Sequence, residues 1–390
     1  MTELTLAGPR PAISDVAQDQ LAAWLVARGE PAYRASQILA GVHRAQARRF
    51  EDLTDLPVGL RAALDAGFHF STIVASHVLV ADGGLTAKAV HELHDGQRIE
   101  SVLMRTPASA RQAARTTICI SSQAGCAVGC PFCATGQAGF GRQLSAGEIV
   151  DQVLHWHRAP WLALGPDWRP GAAAGHYNIV FMGMGEPLNN VPAVFEAVRL
   201  LNDSGRLGIG ARHITVSTSG VVPGMGRMID ELPQVNLAIS LHAADDELRD
   251  ELVPINRKWP IAEVVAAGRR FAERTHRRVS LEYVMIDGLN DSDELAKRLA
   301  GLARGWLSHV NLIPLNPTPG SRWSGSPPNR IRAFQTVLRD AGVPVTVRNT
   351  RGREIEAACG QLHTQLAGRR LPGQPEPKRS VNQGAAAGVA

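Results

Sequence analysis

The sequence predicts an α/β protein built around a partial or closed βα barrel, and three observations carry that prediction. From Thr116 onward, short β-branched segments alternate with amphipathic segments of helical period, the pattern of βα units on a parallel sheet. Ahead of that run, residues 71–115 are rich in β-branched residues and punctuated by the turns ADGG and HDGQ, which predicts short antiparallel strands. Residues 12–70 repeat their apolar positions at helical spacing, which predicts a small helical region.

In chain order, "DVAQDQLAAWLVARG" is a helix that Gly29 closes as a C-cap, and "RASQILAGVHRAQ" continues with the same period. This region carries Arg28, Arg34, Arg44, Arg48, Arg49 and Arg61, so it reads either as a module that grips RNA phosphates or as a solvated face. The extension follows as "TIVASHVLV", "TAKAVHELHDGQRIESVLMR" and "RTTICISS". Barrel strands are expected at "TTICIS", "NIVFMG", "HITVST", "VNLAISLH", "VSLEYVMI", "HVNLIPLN" and "VPVTVRN". Helices are expected between most of them, at "SAGEIVDQVLHWH", "VPAVFEAVRLLN", "IAEVVAAGRRFAERT", "SDELAKRLAGLAR" and "RIRAFQTVLRDAG". About six such units favour a barrel over a doubly wound sheet, and a barrel carries its function at the C-terminal ends of its strands. A Pro/Gly/Trp insertion occupies residues 160–175, and the low-complexity tail has the composition of a disordered segment. The expected division is a helical accessory domain at 1–70, a β extension at 71–115, the barrel at 116–365 and the tail at 366–390.

At 390 residues the chain has room for one large domain and a smaller one. No run approaches the roughly 18 consecutive apolar residues of a membrane span, and the N-terminus lacks the pattern of an export signal. A net charge of +5 permits a polyanionic partner, though an arginine excess beside abundant Ala, Gly and Pro also fits plain genome composition. Five cysteines, odd in number and tightly clustered, argue against a secreted disulfide framework. They point to metal or redox chemistry in the cytoplasm.

Three of the five stand in "AGCAVGCPFCATG" as Cys126, Cys130 and Cys133, directly after the first expected barrel strand. Thiolates spaced C-x3-C-x2-C can wrap one face of a [4Fe–4S] cluster, and three ligands in place of the usual four leave one iron open to a small molecule. A zinc site that recruits Cys119 is the competing reading; zinc favours paired C-x2-C units, and the sequence has no second pair.

With Phe132 before the last cysteine, the motif is the signature of the radical S-adenosylmethionine superfamily, which the chain resembles. That resemblance implies a (β/α)6 partial barrel and a cofactor whose amino and carboxylate groups chelate the open iron. One-electron cleavage of the cofactor then yields a 5′-deoxyadenosyl radical. "GMGEP", with Gly185 and Glu186, looks like the motif that holds the cofactor's amino group. Later strand ends offer Ser217 in "VSTSG", Ser240, Leu241 and His242 in "SLHA", and Asn316 in "IPLNP".

Taken with "TTICISSQAGC", "FMGMGEPLNN", "LAISLHA" and "IEAACGQL", the chain resembles the RlmN family of RNA (adenine-C2) methyltransferases over about residues 12–365. The resemblance implies that Cys359 carries a methyl group taken from one S-adenosylmethionine, and that a second molecule supplies the radical, making two per turnover. Cys119 then resolves the protein–RNA adduct through a transient disulfide, and Glu100 in "QRIESVLM" acts as base. From the sequence alone Glu100 looks like an outward-facing strand residue. The implied substrates are an adenosine of 23S rRNA near the peptidyl transferase centre and the anticodon-adjacent adenosine of some tRNAs. A reducing protein such as a flavodoxin or ferredoxin is the implied partner, no membrane is, and a monomer is expected. Two alternatives stay open here: a sister enzyme that methylates carbon 8 of the same adenine, and an iron–sulfur RNA-binding protein without catalysis.

Overall fold

A ten-stranded sheet organises the chain in the computed structural model, which describes residues 10–44, 47–109, 113–158, 177–316, 318, 321–348 and 352–362. The insertion at 160–175 and the tail at 366–390 lie outside those residues. Helices α1 (Gln18–Val26), α2 (Arg34–Val42) and α3 (Val58–Gly67) come first and close over a core of their own that includes Leu21, Trp24, Leu25, Ile38 and Phe50. Gly29 follows α1 with φ +77°, and its N–H closes on the Val26 carbonyl.

Strands β1 (Ile73–Ala81), β2 (Thr86–Leu93), β3 (Arg98–Thr106) and β4 (Arg115–Cys119) pair antiparallel in sequence order. A small hairpin follows, β5 (Gln123–Gly125) with β6 (Phe140–Gln143), enclosing α4 (Ala134–Ala138). Next come α5 (Ala146–His157), β7 (Tyr177–Phe181), α6 (Val191–Asn202), β8 (Ile214–Thr218), α7 (Val222–Glu231), β9 (Asn236–Ser240), α8 (Asp246–Leu252) and α9 (Ile261–Thr275). The described chain continues as β10 (Val279–Met285), α10 (Asp293–Ala303), β11 (Ser308–Pro314), α11 (Pro328–Asp340) and β12 (Val345–Val347).

Strand β4 is the switch. It runs antiparallel to β3 but parallel to β7, and β7 through β12 then continue parallel. The antiparallel extension is therefore the barrel sheet's own edge. With β1 at one end and β12 at the other, the barrel is partial and open. All seven expected barrel strands form, and their apolar runs fit burial on both faces. Helix α7 carried no sequence signal because Pro223, Gly224 and Gly226 sit inside it. Gly224 is there for close packing, since a Cβ at that position would meet Leu188 Cβ at 2.7 Å.

Helix α5 ties the two cores together. Ser145 caps it reciprocally with Glu148, and its Asp151 carboxylate accepts hydrogen bonds from Ser14 Oγ at 2.8 Å, Ser71 Oγ at 3.0 Å, and the Thr72 N–H and Oγ1 at 2.6 and 2.8 Å. The arginines singled out in the helical region are engaged locally. Arg28 lies over the Trp24 ring, Arg34, Arg44 and Arg49 pair with Glu30, Asp55 and Asp52, Arg61 bonds the Glu51 carbonyl, and Arg48 reaches the Arg158 carbonyl.

Candidate active site

The loop after β5 is shaped by backbone contacts before any ligand is considered. The Cys126 N–H donates to the Gly139 carbonyl at 2.8 Å and the Cys133 N–H to the Cys130 carbonyl at 3.1 Å. A Cβ on Gly136 would sit 2.7–2.8 Å from the Cys130 backbone, so the turn tolerates only glycine. Gly185 has φ +103° and lets the strand end after β7 press against Gln123, whose Oε1 accepts the Glu186 N–H at 2.8 Å.

The result is a cavity of about 980 Å³, open to solvent, at the C-terminal ends of the parallel strands. Cys126, Cys130 and Cys133 line one wall, and Gly185, Glu186, Ser217, Ser240, His242, Asn316 and Cys359 line the rest. Burial pushes the Cys126 thiol up to about 12 and raises Cys130 and Cys133, with neighbouring thiols adding to the effect. Thiols so placed ionise only when a positive group shares the cavity. Among the described residues, no three His, Cys, Asp or Glu side chains gather on one ion-sized point. Three thiol donors on the wall of an open cavity fit a [4Fe–4S] cluster that keeps one iron for a small molecule.

The polar side chains are held in turn. Glu186 is buried, its carboxyl raised by desolvation, and it accepts the Ser219 N–H at 2.6 Å, Ser219 Oγ at 2.7 Å and the Leu188 N–H at 3.0 Å. Ser217 Oγ donates to the Phe181 carbonyl at 2.6 Å. His242 takes a left-handed φ of +60°, and its Nδ1 accepts the Val284 N–H at 3.1 Å, so in the neutral ring Nε2 carries the proton. Burial depresses that imidazole to about 3. Arg249, which sequence reasoning missed, is fully buried and donates to the carbonyls of Ser219, Ser240 and Leu241, tying together the ends of β8 and β9.

Cys119 and Cys359 meet in a second cavity of about 520 Å³, which shares Met182, Ile313, Asn316, Arg348 and Cys359 with the first. Asn316 Nδ2 holds the Cys359 carbonyl at 3.1 Å. The Ala134 N–H holds the Gly360 carbonyl at 2.7 Å, and Thr135 Oγ1 the Leu362 carbonyl at 2.5 Å. Burial pushes the Cys119 thiol up to about 12, and Cys359 adds to the rise. Arg348 is raised first by Cys359, then by Glu282 and Cys119 despite its burial. Arg348 and Glu282 were also missed; the available signal was a charged residue inside each of two otherwise apolar strand segments.

Two expected residues are not brought to a cavity wall. Leu241 is fully buried, and its backbone bonds Glu282 and Arg249 while its side chain joins the core. Glu100 is 1% exposed on β3 and pairs with Lys88 at 3.3 Å.

Residues 120–300 match the radical SAM superfamily, and residues 12–69 match the ribosomal RNA large subunit methyltransferase N-terminal domain. A probable dual-specificity RNA methyltransferase RlmN from Frankia alni is 49% identical over 94% of this chain and 86% of its own length. The chain belongs to the RlmN family. Another RlmN, from Thermobifida fusca, is 46% identical over 92% of this chain and 98% of its own. The crystal structure of a radical SAM methyltransferase from Sphaerobacter thermophilus superposes with a TM-score of 0.84, at 46% identity over 91% of this chain and 100% of that one. As a radical SAM enzyme of the RlmN family, the chain uses S-adenosylmethionine and a [4Fe–4S] cluster. No helix among the described residues is long and apolar enough to cross a membrane.

Proposed function

We propose that this chain methylates carbon 2 of one adenosine in 23S rRNA near the peptidyl transferase centre and of the anticodon-adjacent adenosine of certain tRNAs. The observation that carries the reading is the meeting of Cys119 and Cys359, far apart in sequence, in a cavity continuous with that of the three clustered cysteines. The names of the relatives, dual-specificity RNA methyltransferases, support the substrate class.

Cys126, Cys130 and Cys133 would hold the cluster, and the walls formed by Gly185, Glu186, Ser217, Ser240, His242 and Asn316 would hold S-adenosylmethionine. When bound, these groups supply a methyl group and the one-electron chemistry that makes a carbon radical, with two S-adenosylmethionine molecules consumed per methyl delivered. The chain's own part starts from the electron-poor carbon 2 of adenine, which does not attack a methylsulfonium. Cys359 is a better nucleophile; as a thiolate it takes the methyl and stores it as a thioether, with Arg348 lining the same cavity. Joining the stored carbon to the base links protein and RNA through Cys359. Cys119, in the shared cavity, closes a disulfide with Cys359 and frees the product. Glu100 takes the proton from carbon 2, which requires access to β3 through the second cavity. The base must leave its stack to enter. The reading includes a flavodoxin- or ferredoxin-like reductant and a monomer acting in the cytoplasm.

The test compares two variants on denaturing gels after expression with cellular RNA. Cys119→Ala should accumulate RNA covalently bound through Cys359, whereas Cys359→Ala should carry no methyl and no RNA. Mass spectrometry of digested RNA separates 2-methyl from 8-methyl adenosine. Equal adducts in both variants, or none in Cys119→Ala, would end the reading.

A further inference from the structure

One buried ammonium group reaches two parts of the site that the chemistry above uses separately. Lys88, on β2, is 4% exposed between two fully buried alanines, Ala87 and Ala89. Its Nζ lies 3.3 Å from Glu100 Oε1 on β3 and donates to the Glu356 carbonyl at 3.4 Å. Glu356 stands three residues before Cys359. Burying a lysine and a glutamate together is rarely the cheapest way to stabilise a sheet, since apolar residues of similar volume do as well or better. A buried charge that also grips a distant backbone carbonyl points instead to placement.

The segment it grips has little order of its own. Residues 352–362 contain one short 3-10 helix, Arg353–Ile355, and a turn closed by the Gln361 N–H on the Ala358 carbonyl, and take left-handed backbone at Gly352, Glu356 and Gly360. Glu356 has no glycine's freedom there, so tertiary contacts must hold it. One end is fixed by the Gly352 N–H on Asp82 Oδ2 at 2.9 Å, the other by Ala134 and Thr135 of the cysteine loop. Lys88 acts between these anchors. On its other side, Glu100 lies two residues along β3 from Val102, which pairs with Cys119 on β4, and the Glu100 carbonyl accepts Ser121 Oγ at 2.6 Å.

We propose that Lys88 is a positioning residue that fixes the Cys359 segment over the second cavity and, through the same ammonium group, orients the Glu100 carboxyl on β3. The proposal rests on the roles given above to Cys359 and Glu100, and it adds the group that ties carrier and proton acceptor to one strand. Moving the segment away from β2 loosens one arm of Lys88 and alters the field at Glu100, so the two roles are coupled.

The test follows backbone amide exchange across residues 352–362 and the alkylation rate of Cys359 by iodoacetamide in the full-length protein. Lys88→Met should speed both about tenfold, the loss expected for one charged hydrogen bond, and Lys88→Arg should restore most of it. Since Lys88→Met alone strands a buried carboxylate and can unfold, Lys88→Met/Glu100→Gln is made in parallel. That pair lacks the arm on Glu356 and should also exchange fast, while Glu100→Gln alone keeps the arm and should exchange as the parent does. Exchange in α9 and α10 should stay unchanged throughout. Parental exchange and alkylation in both Lys88→Met and the double variant would overturn the proposal, as would fast exchange in Glu100→Gln. RNA methylation by Cys359→Ala would instead remove the underlying reading and leave the exchange result standing.

Discussion

The cavity and the seam between the helical region and α5 both bury ionisable side chains, one along a space open to solvent and the other sealed between two cores. At the seam the charged group is saturated: Asp151 accepts four hydrogen bonds from Ser14, Ser71 and Thr72. The histidines around it are neutral, with His43, His155 and His157 each held near 4 by burial, and nearby arginines adding to the depression. In the cavity the ionisable groups line a space open to solvent. Desolvation raises three thiols, Glu186 and Glu282, and Arg348 waits beside Cys359. Shifted groups sealed between two cores serve structure, and a cluster of shifted groups along an open cavity marks a site.

The largest effect that separates the two regions comes from Cys130→Ala. It should abolish the broad visible absorption of the cluster, most of the iron and all methylation, yet leave the iron-free chain as stable as the parent within about 1 kcal/mol in chemical denaturation. A large stability loss in the iron-free protein would place Cys130 among the structural groups. Asp151→Ala should do the reverse. It strands the buried Thr72 N–H and three hydroxyl groups, at a cost of about 2–4 kcal/mol, while absorption of the reconstituted cluster persists. Loss of cluster absorption in a folded Asp151→Ala protein would show that the seam and cavity are not independent.

The same contrast explains what the sequence disclosed. The strands of the barrel and the cysteine loop were legible because their signals are local: apolar runs bounded by turns, and three thiols within one glycine-rich turn. Ser217, Ser240, His242 and Asn316 were legible because they end such strands. Arg249, Arg348 and Lys88 were not, since each acts on a carbonyl or a sulfur supplied by another part of the chain. Glu100 and Leu241 matched motifs, but that one pairs with Lys88 and the other packs into the core depends on parts of the chain the motifs do not contain. The seam was invisible for the same reason: Asp151 sits in a helix of ordinary period, and its four donors lie 79 to 137 residues away.

Acid should act on the two regions through different groups. A histidine whose folded pKa lies near 4, against 6.5 in the unfolded chain, stays neutral in the fold while the unfolded chain takes up a proton. Its contribution is fully present above pH 6.5 and is lost as pH falls toward 4, by about 1 kcal/mol per histidine between pH 7.5 and 5.5. His91, fully buried between Ser76 and Ser101 and pushed well below its usual range, adds to the same loss. For the cavity carboxyls the sign is opposite: Glu186 and Glu282 are raised, so the fold binds protons before the unfolded chain does and gains stability as pH falls through their folded values toward 4.5, whereas His242, depressed to about 3, shares the sign of the seam histidines. The seam carries the greater number of shifted groups at mildly acid pH, so the protein should lose stability from pH 7.5 to 5.5. The direct measurement is the denaturation midpoint at both pH values for the parent and for His157→Gln, whose side chain cannot charge. His157→Gln should flatten the pH dependence by about 1 kcal/mol, whatever it does to stability at pH 7.5. A variant as pH-sensitive as the parent would mean that the seam histidines do not govern acid stability.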